Sequence, residues 1–257
     1  MEQFVIQKPD GHEMSCMKEA PANPEGIVIA VHGFASSMAS PTYTLLMRRM
    51  PEANLGVVAF DLPGHGSQES LQEELRIEGA LDSIAAAERY ATEQWPEADI
   101  FYFGSSFGAY LLCLYISRRP HRGRRVFLRS AAVNMPELFV PRNPTEEDLK
   151  AIREMEERGY VDVVSEGHQP VRISVAMYRD FERTDLFQCF SPDTYGPHEI
   201  EMVHGTEDQV IDPAQAELFA EKFDLSITYF PGEGHTLSSA QDTPDRVADL
   251  ALQLYRG

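Results

Sequence analysis

The sequence predicts an α/β protein: a mostly parallel central sheet with helices on both faces. Three observations predict it. Short apolar runs alternate with helical patterns along most of the chain, as strand–helix–strand crossovers require. Several runs are nearly continuous and rich in β-branched residues, as expected of strands buried on both faces. A Gly-x-Ser-x-Gly sequence also sits directly between one such run and the helical pattern after it.

Taken in order, Phe4 to Gln7 and Met14 to Lys18 flank a Pro-Asp-Gly turn and predict an opening hairpin. Ile27 to Val31, Gly56 to Phe60, Ile100 to Phe103, Val126 to Leu128, Ile200 to Val203 and Ile227 to Phe230 predict the buried strands. Ile77, Leu81 and Ile84 share one helical face, while Tyr110 to Ile116 is apolar all round and predicts a central helix. Asp212 with Pro213, and Thr243 with Pro244, read as N-cap and first-turn pairs. Val247, Leu250, Ala251 and Leu254 form the apolar stripe of the last helix.

The rhythm breaks between Asn134 and Phe190. This stretch carries Pro136, Pro141, Pro144 and Pro170, a capping-box start at Thr145 and Asp148, and an acidic run from Glu146 to Glu157 that reads as a solvated helix face. It predicts an insertion (134–190) within one domain (1–257), suited to capping the sheet.

Composition removes several classes. The 257 residues are 43% hydrophobic and 25% charged, as in ordinary folded domains. Lys and Arg number 22 against 41 acidic residues, a formal charge of −19. Such a field repels nucleic acid and anionic membranes, so neither is an expected partner. It also slows encounter with anionic substrates unless a local basic site overrides it. No run of about 18 apolar residues predicts a membrane span. The three cysteines, Cys16, Cys113 and Cys189, are too few and too widely spaced for a disulfide framework or zinc site. With no signal-peptide pattern at Met1 to Gly11, they point to the cytoplasm.

The chemistry centres on Gly104-Ser105-Ser106-Phe107-Gly108. A tight strand–turn–helix connection pushes the middle serine out above the sheet, so Ser106 rather than Ser105 is the expected nucleophile. A serine hydroxyl needs a base. His235 follows the strand Ser226 to Phe230 through a Gly-rich turn, which places it at a strand's carboxyl end. The base needs an orienting carboxylate. Asp208 is the expected one, with Glu207 and Asp212 as rivals; Asp212 is better explained as a helix cap. His32-Gly33-Phe34 follows the first buried strand, so the N–H groups of Phe34 and Phe107 are the expected oxyanion donors and their rings the expected lining of the acyl pocket. Gly33, Gly104 and Gly108 support the motif.

Ser106, Asp208 and His235 in that order, with VHGF, DLPGHG, GSSFG, HGTEDQV and PGEGH, resemble the α/β-hydrolase family over Ile27 to Gly257. The pattern most resembles small bacterial serine esterases of the cinnamoyl/feruloyl-esterase and monoacylglycerol-lipase-like kind. Phe107 departs from the Gln or Met common after their nucleophile. The resemblance implies an α/β-hydrolase fold with a lid after the sixth strand. It also implies a cofactor-free, metal-free carboxylesterase acting on a small-molecule ester of a small or medium acyl group. Thioesterase, amidase or peptidase, and acyltransferase use the same residues, and a non-catalytic ligand-binding member is the competing class. Asp61, at the start of the Asp-x-x-Gly-x-Gly loop, and His65 read as loop structure. Arg129, at the end of a strand that should face the site, could bind a carboxylate or pair with an acid such as Asp61, and the structural pair is the expected reading. Tyr160, Tyr178, Phe181 and Phe187 are either lid core or substrate contacts.

Overall fold

The computed structural model describes residues 1–8, 11–68, 75–140, 143–164 and 170–257. Pro9 and Asp10 of the expected hairpin turn, and Pro141 of the insertion, lie outside them. The strands of the hairpin are present: β1 (Glu2–Gln7) and β2 (Glu13–Glu19) pair antiparallel.

Each of the expected apolar runs forms a strand. These are β3 (Gly26–Val31), β4 (Leu55–Phe60), β5 (Asp99–Ser105), β6 (Arg125–Arg129), β9 (Glu199–Gly205) and β10 (Ser226–Phe230). Together with β1 and β2 they make an eight-stranded sheet in the order β1-β2-β4-β3-β5-β6-β9-β10. The last, β10, is not buried on both faces as expected: it is an edge strand of the sheet, and of Ser226–Phe230 only Phe230 is buried. From β4 to β10 every pairing is parallel. Every residue of β3 and β4 is buried, which explains why neither shows a period-two pattern.

The chain runs from β3 outward to β4 and then back across to β5. The order therefore reverses between β3 and β5, and the carboxyl ends of these strands border the crevice where open α/β sheets hold ligands.

Helices cover both faces. On one side α2 (Ile77–Gln94), α3 (Phe107–Arg118) and α8 (Pro213–Phe223) share a core with Ile29, Tyr102 and Leu128 of the strands. On the other, α1 (Pro41–Glu52) and α9 (Thr243–Arg256) pack on Val28, Phe103, Phe127 and Val203. Nearly all of α3 is buried, as its uniformly apolar pattern predicts. Helix α1 escapes the sequence reading although its buried residues, Tyr43, Leu46, Met47 and Met50, fall at helical spacing.

At α9 the expected cap is displaced by one residue. Asp242 is the cap position and Thr243 the first helical residue. The Thr243 hydroxyl instead donates to Glu233 at 2.7 Å.

The insertion lies between β6 and β9. It comprises α4 (Met135–Phe139), α5 (Glu146–Arg158), the hairpin β7 (Tyr160–Val163) and β8 (Val171–Ser174), α6 (Val175–Glu182) and α7 (Leu186–Cys189). Thr145 and Asp148 form the reciprocal cap of α5, and Met155 is its buried residue. Among the described residues no helix is long and apolar enough to cross a membrane, and Cys16, Cys113 and Cys189 are free thiols.

Candidate active site

Ser106 sits between β5 and α3 at φ 53°, ψ −114°, a region that non-glycine residues avoid unless the surroundings impose it. They do so here. The Ser106 N–H donates to Arg129 O at 2.9 Å, and Ser106 O accepts from Tyr110 N and Ala132 N. The flanking glycines are required by close approach. A Cβ on Gly108 would stand 2.0 Å from Val31 O, and one on Gly104 would stand 2.7 Å from Ala109 Cα. Strand β3 and helix α3 can therefore converge under the serine only without side chains there.

The fold brings the three expected residues together. Ser106 Oγ is 2.9 Å from His235 Nε2, and His235 Nδ1 is 2.8 Å from Asp208 Oδ2. The carboxylate only accepts, so Nδ1 carries the proton and Nε2 is left to accept from the serine hydroxyl. Asp208 is buried with every acceptor direction used. Oδ1 takes the N–H groups of Val210 and Ile211, both at 2.9 Å. Oδ2 takes His235 and the Nε2 of His204, the latter at 3.1 Å. Burial alone would raise this carboxyl. The bonds from His204 and His235, the charge of His235 and the Ile211 N–H outweigh it and hold Asp208 well below the usual carboxylate range. Glu207, the rival, is exposed, and Asp212 caps α8 through Ala214 N.

His204 is a residue the sequence reading missed. It is buried, and its Nε2 also lies 3.1 Å from Ile211 O. Two acceptors around one nitrogen make it a shared donor that steadies Asp208. Its place at the end of β9, four residues before Asp208, was the available signal.

The His235 loop is stitched down from three sides. Ser130 Oγ donates to His235 O at 2.8 Å, and the Arg129 guanidinium donates to Thr236 O. Glu233, a second missed residue, is buried and accepts from Ser239 N, Ala240 N and the Thr243 hydroxyl. Ala35, Ser106, Ser130 and Leu237 all hold positive φ. Strained backbone thus gathers around one point, as it does at functional sites.

Phe34 and Phe107 present main-chain N–H groups with no partner among the described residues. That of Phe107 is at the first position of α3, where the helix leaves its donors unpaired and positively polarised. Of the two rings expected to line the pocket, only one does so. Phe34 lines a cavity of about 330 Å³ with Gly33, Ser105, Ser106, Arg129 and His235. Phe107 is fully buried and packs on Tyr110 and Phe181 instead.

The insertion aromatics are structural partners. Phe181 stacks on Phe139 with centroids 4.9 Å apart, and Phe187 meets Phe219 edge-on. Tyr178 is buried, and the guanidinium groups of Arg158 and Arg172 both lie over the Tyr160 ring.

Three further expectations resolve. Asp61 accepts from Met38 N, Ser67 N and Ser67 Oγ, which binds two loops together. His32 bridges Gly33 O and Leu62 N, and His65 Nδ1 bonds Pro63 O. The expected pairing of Arg129 with an acid such as Asp61 is not formed among the described residues. Strand register sets Arg129 beside Ser105, whose hydroxyl accepts from it at 2.7 Å.

The sheet order, the serine on its strained turn and the adjoining His–Asp pair define an α/β hydrolase. Residues 22–171, more than half of the chain, match the family model Hydrolase_4, described as serine aminopeptidase, S33, and the chain belongs to that family. Comparison with curated proteins finds no match. Among solved structures, a putative hydrolase from Agrobacterium vitis S4 is similar at TM-score 0.79 and 19% identity, over 98% of this chain and 97% of that one. Est1E from Butyrivibrio proteoclasticus is similar at TM-score 0.75 and 14% identity, with both chains fully covered. A thermostable carboxyl esterase from Bacillus coagulans has TM-score 0.72 and 16% identity, over 100% of this chain and 98% of that one. At these identities the likeness is one of fold.

Proposed function

We propose that this protein is a serine hydrolase that cleaves carboxylic esters through an acyl-enzyme intermediate. The observation that carries this reading is the continuous hydrogen-bond chain from Ser106 through His235 to Asp208. In the first half-reaction His235 Nε2 takes the Ser106 proton while Oγ attacks the ester carbonyl. Negative charge collects on the carbonyl oxygen, where the N–H groups of Phe34 and Phe107 stabilise it. The imidazolium, compensated by Asp208, then protonates the departing alkoxide. Water enters, gives a proton to the same nitrogen, and releases the acid by the reverse sequence.

The insertion (134–190) acts as the lid of this site. Phe139 packs 5.6 Å from Phe34, and Phe181 packs 6.3 Å from Phe107. The insertion therefore bears on both residues whose N–H groups face the oxyanion.

A carboxyl esterase among the fold relatives supports an ester substrate, and Est1E is also known with ferulic acid bound. The family description raises peptide cleavage as a second reading. An aminopeptidase must hold a free ammonium group near its nucleophile. The cavity here presents the guanidinium of Arg129, which repels one, so the ester reading is favoured.

The test is hydrolysis of p-nitrophenyl esters from acetyl to lauryl, with an aminoacyl p-nitroanilide and a thioester alongside. We expect the short acyl esters to turn over fastest and Ser106→Ala to lose that turnover while staying folded. Preferential cleavage of the anilide or thioester would replace the ester reading.

A further inference from the structure

The cavity beside Ser106 is walled largely by apolar groups, among them Phe34, Leu45, Leu46, Phe103 and Val247. Arg129 is set into this wall with only 9% of its surface exposed. It donates to two neutral oxygens, Ser105 Oγ and Thr236 O, and forms no ion pair among the described residues. A guanidinium carries five N–H donors, so two bonds leave donors over.

A buried cation with no carboxylate bonded to it is costly to keep. Among the described residues no carboxylate bonds Arg129 directly, although the charges of Asp208 and Glu233 reach it. The nearby carboxylates are already committed. Asp208 serves His235, His204 and two N–H groups, and Glu233 serves the loop from Ser239 to Thr243. If Arg129 only tied the His235 loop to β5, a neutral donor would do so without the charge.

Its position is also specific. Arg129 is the register partner of Ser105, one strand spacing of about 4.8 Å away, and Ser105 immediately precedes the nucleophile. The cavity volume of about 330 Å³ is at the small end for ligand sites, which fits a short limb. The charge of −19 repels anions at long range, so a cation reserved inside the cavity selects them after encounter.

We propose that Arg129 is a specificity-determining residue that binds a free carboxylate on the substrate. The ester cleaved at Ser106 then carries a carboxylate on the short limb that enters this cavity. The inference rests on the esterase reading. The carboxylate can belong to the acyl half, as in a half-ester of a short dicarboxylic acid, or to the alcohol half, as in an ester of a hydroxy acid.

The experiment compares two matched pairs. For the acyl half these are p-nitrophenyl hemiglutarate and p-nitrophenyl pentanoate; for the alcohol half, meta-carboxyphenyl butyrate and phenyl butyrate. In the wild type one pair should show kcat/KM higher for the anionic ester by about 10–100-fold, the range for a charge-assisted hydrogen bond. Arg129→Gln should bring that ratio below about 2, and Arg129→Lys should restore part of it. Neutral esters cleaved as well as anionic ones in both pairs would overturn the proposal, as would a preference that survives Arg129→Gln. The wild-type ratios stand even if a variant fails to fold. If none of the four esters is cleaved, the esterase reading fails separately. Calorimetry with glutarate then decides the site: binding lost in Arg129→Gln supports it, and no binding by the wild type overturns it.

Discussion

Glu233→Ala should distinguish a buried clasp on the His235 loop from a residue that merely sits in a turn. Three donors converge on the Glu233 carboxylate: Ser239 N and Ala240 N, both at 2.8 Å, and the Thr243 hydroxyl at 2.7 Å. Together they tie the segment that carries His235 to the start of α9. A buried donor stripped of its acceptor costs about 1–3 kcal/mol. Water can reach part of the emptied space, so the substitution should destabilise the fold by about 2–4 kcal/mol, a large share of the total for an ordinary domain.

The pH dependence gives a second handle. Burial alone would raise the Glu233 carboxyl, but its bonds from Thr243, Ala240 and Ser239 outweigh that and hold it at about 2. The unfolded chain titrates near about 4.3. A depressed folded value means the stabilisation is fully present above about 4.3 and is lost as pH falls toward 2. The gap between wild type and variant should therefore be full at neutral pH and shrink from about pH 4.3 downward. Urea unfolding across a pH series measures it, with Glu207→Ala as the exposed control. A variant within about 0.5 kcal/mol of wild type would refute the reasoning, as would a gap that does not narrow in acid.

Other changes should behave as follows. Asp208→Asn leaves His235 without its orienting charge and should lower kcat by about 10⁴, the loss known for the equivalent change in a serine protease, with KM little altered. Gly108→Ala drives a methyl group into Val31 O and should cost more than about 3 kcal/mol or prevent folding, as read by soluble yield and thermal unfolding. Burial first, and the neighbouring His32 second, hold His65 down at about 3. The unfolded chain therefore takes up a proton near about 6.5 that the fold refuses. Stability should fall as pH drops from about 6.5 toward 3, and His65→Phe should flatten that slope in thermal unfolding.

Much of the fold was legible in the sequence because the responsible forces are local. Doubly buried strands need continuous apolar runs, and β3 to β6 show them, whereas the apolar run of β10 lies at the sheet edge with only Phe230 buried. The turn at Ser106 needs glycines where two backbones meet, and the pattern around it says so. What the sequence concealed depends on distant partners. Glu233 reads as a turn residue until Thr243 is placed beside it, and that same bond moved the expected cap of α9 to Asp242. His204 reads as one more residue of β9 until Asp208 folds back over it. Arg129 offered a charge at a strand end, but strand register, not charge, chose its neighbours. The rings at Phe34 and Phe107 were assigned together, although α3 carries Phe107 into the core beneath the insertion. Within the insertion the capped helix α5 was visible. The short elements α4, α6 and α7 have too few turns to show a period.

Acylation of Ser106 is the step on which the whole mechanism depends. Its most direct test is to treat the protein with an activated organophosphate ester and map the modified peptide by mass spectrometry while following residual p-nitrophenyl ester turnover. One adduct is expected, on Ser106, formed in step with the loss of activity and absent from Ser106→Ala. An adduct at another residue, or full turnover by a protein phosphorylated at Ser106, would contradict the mechanism.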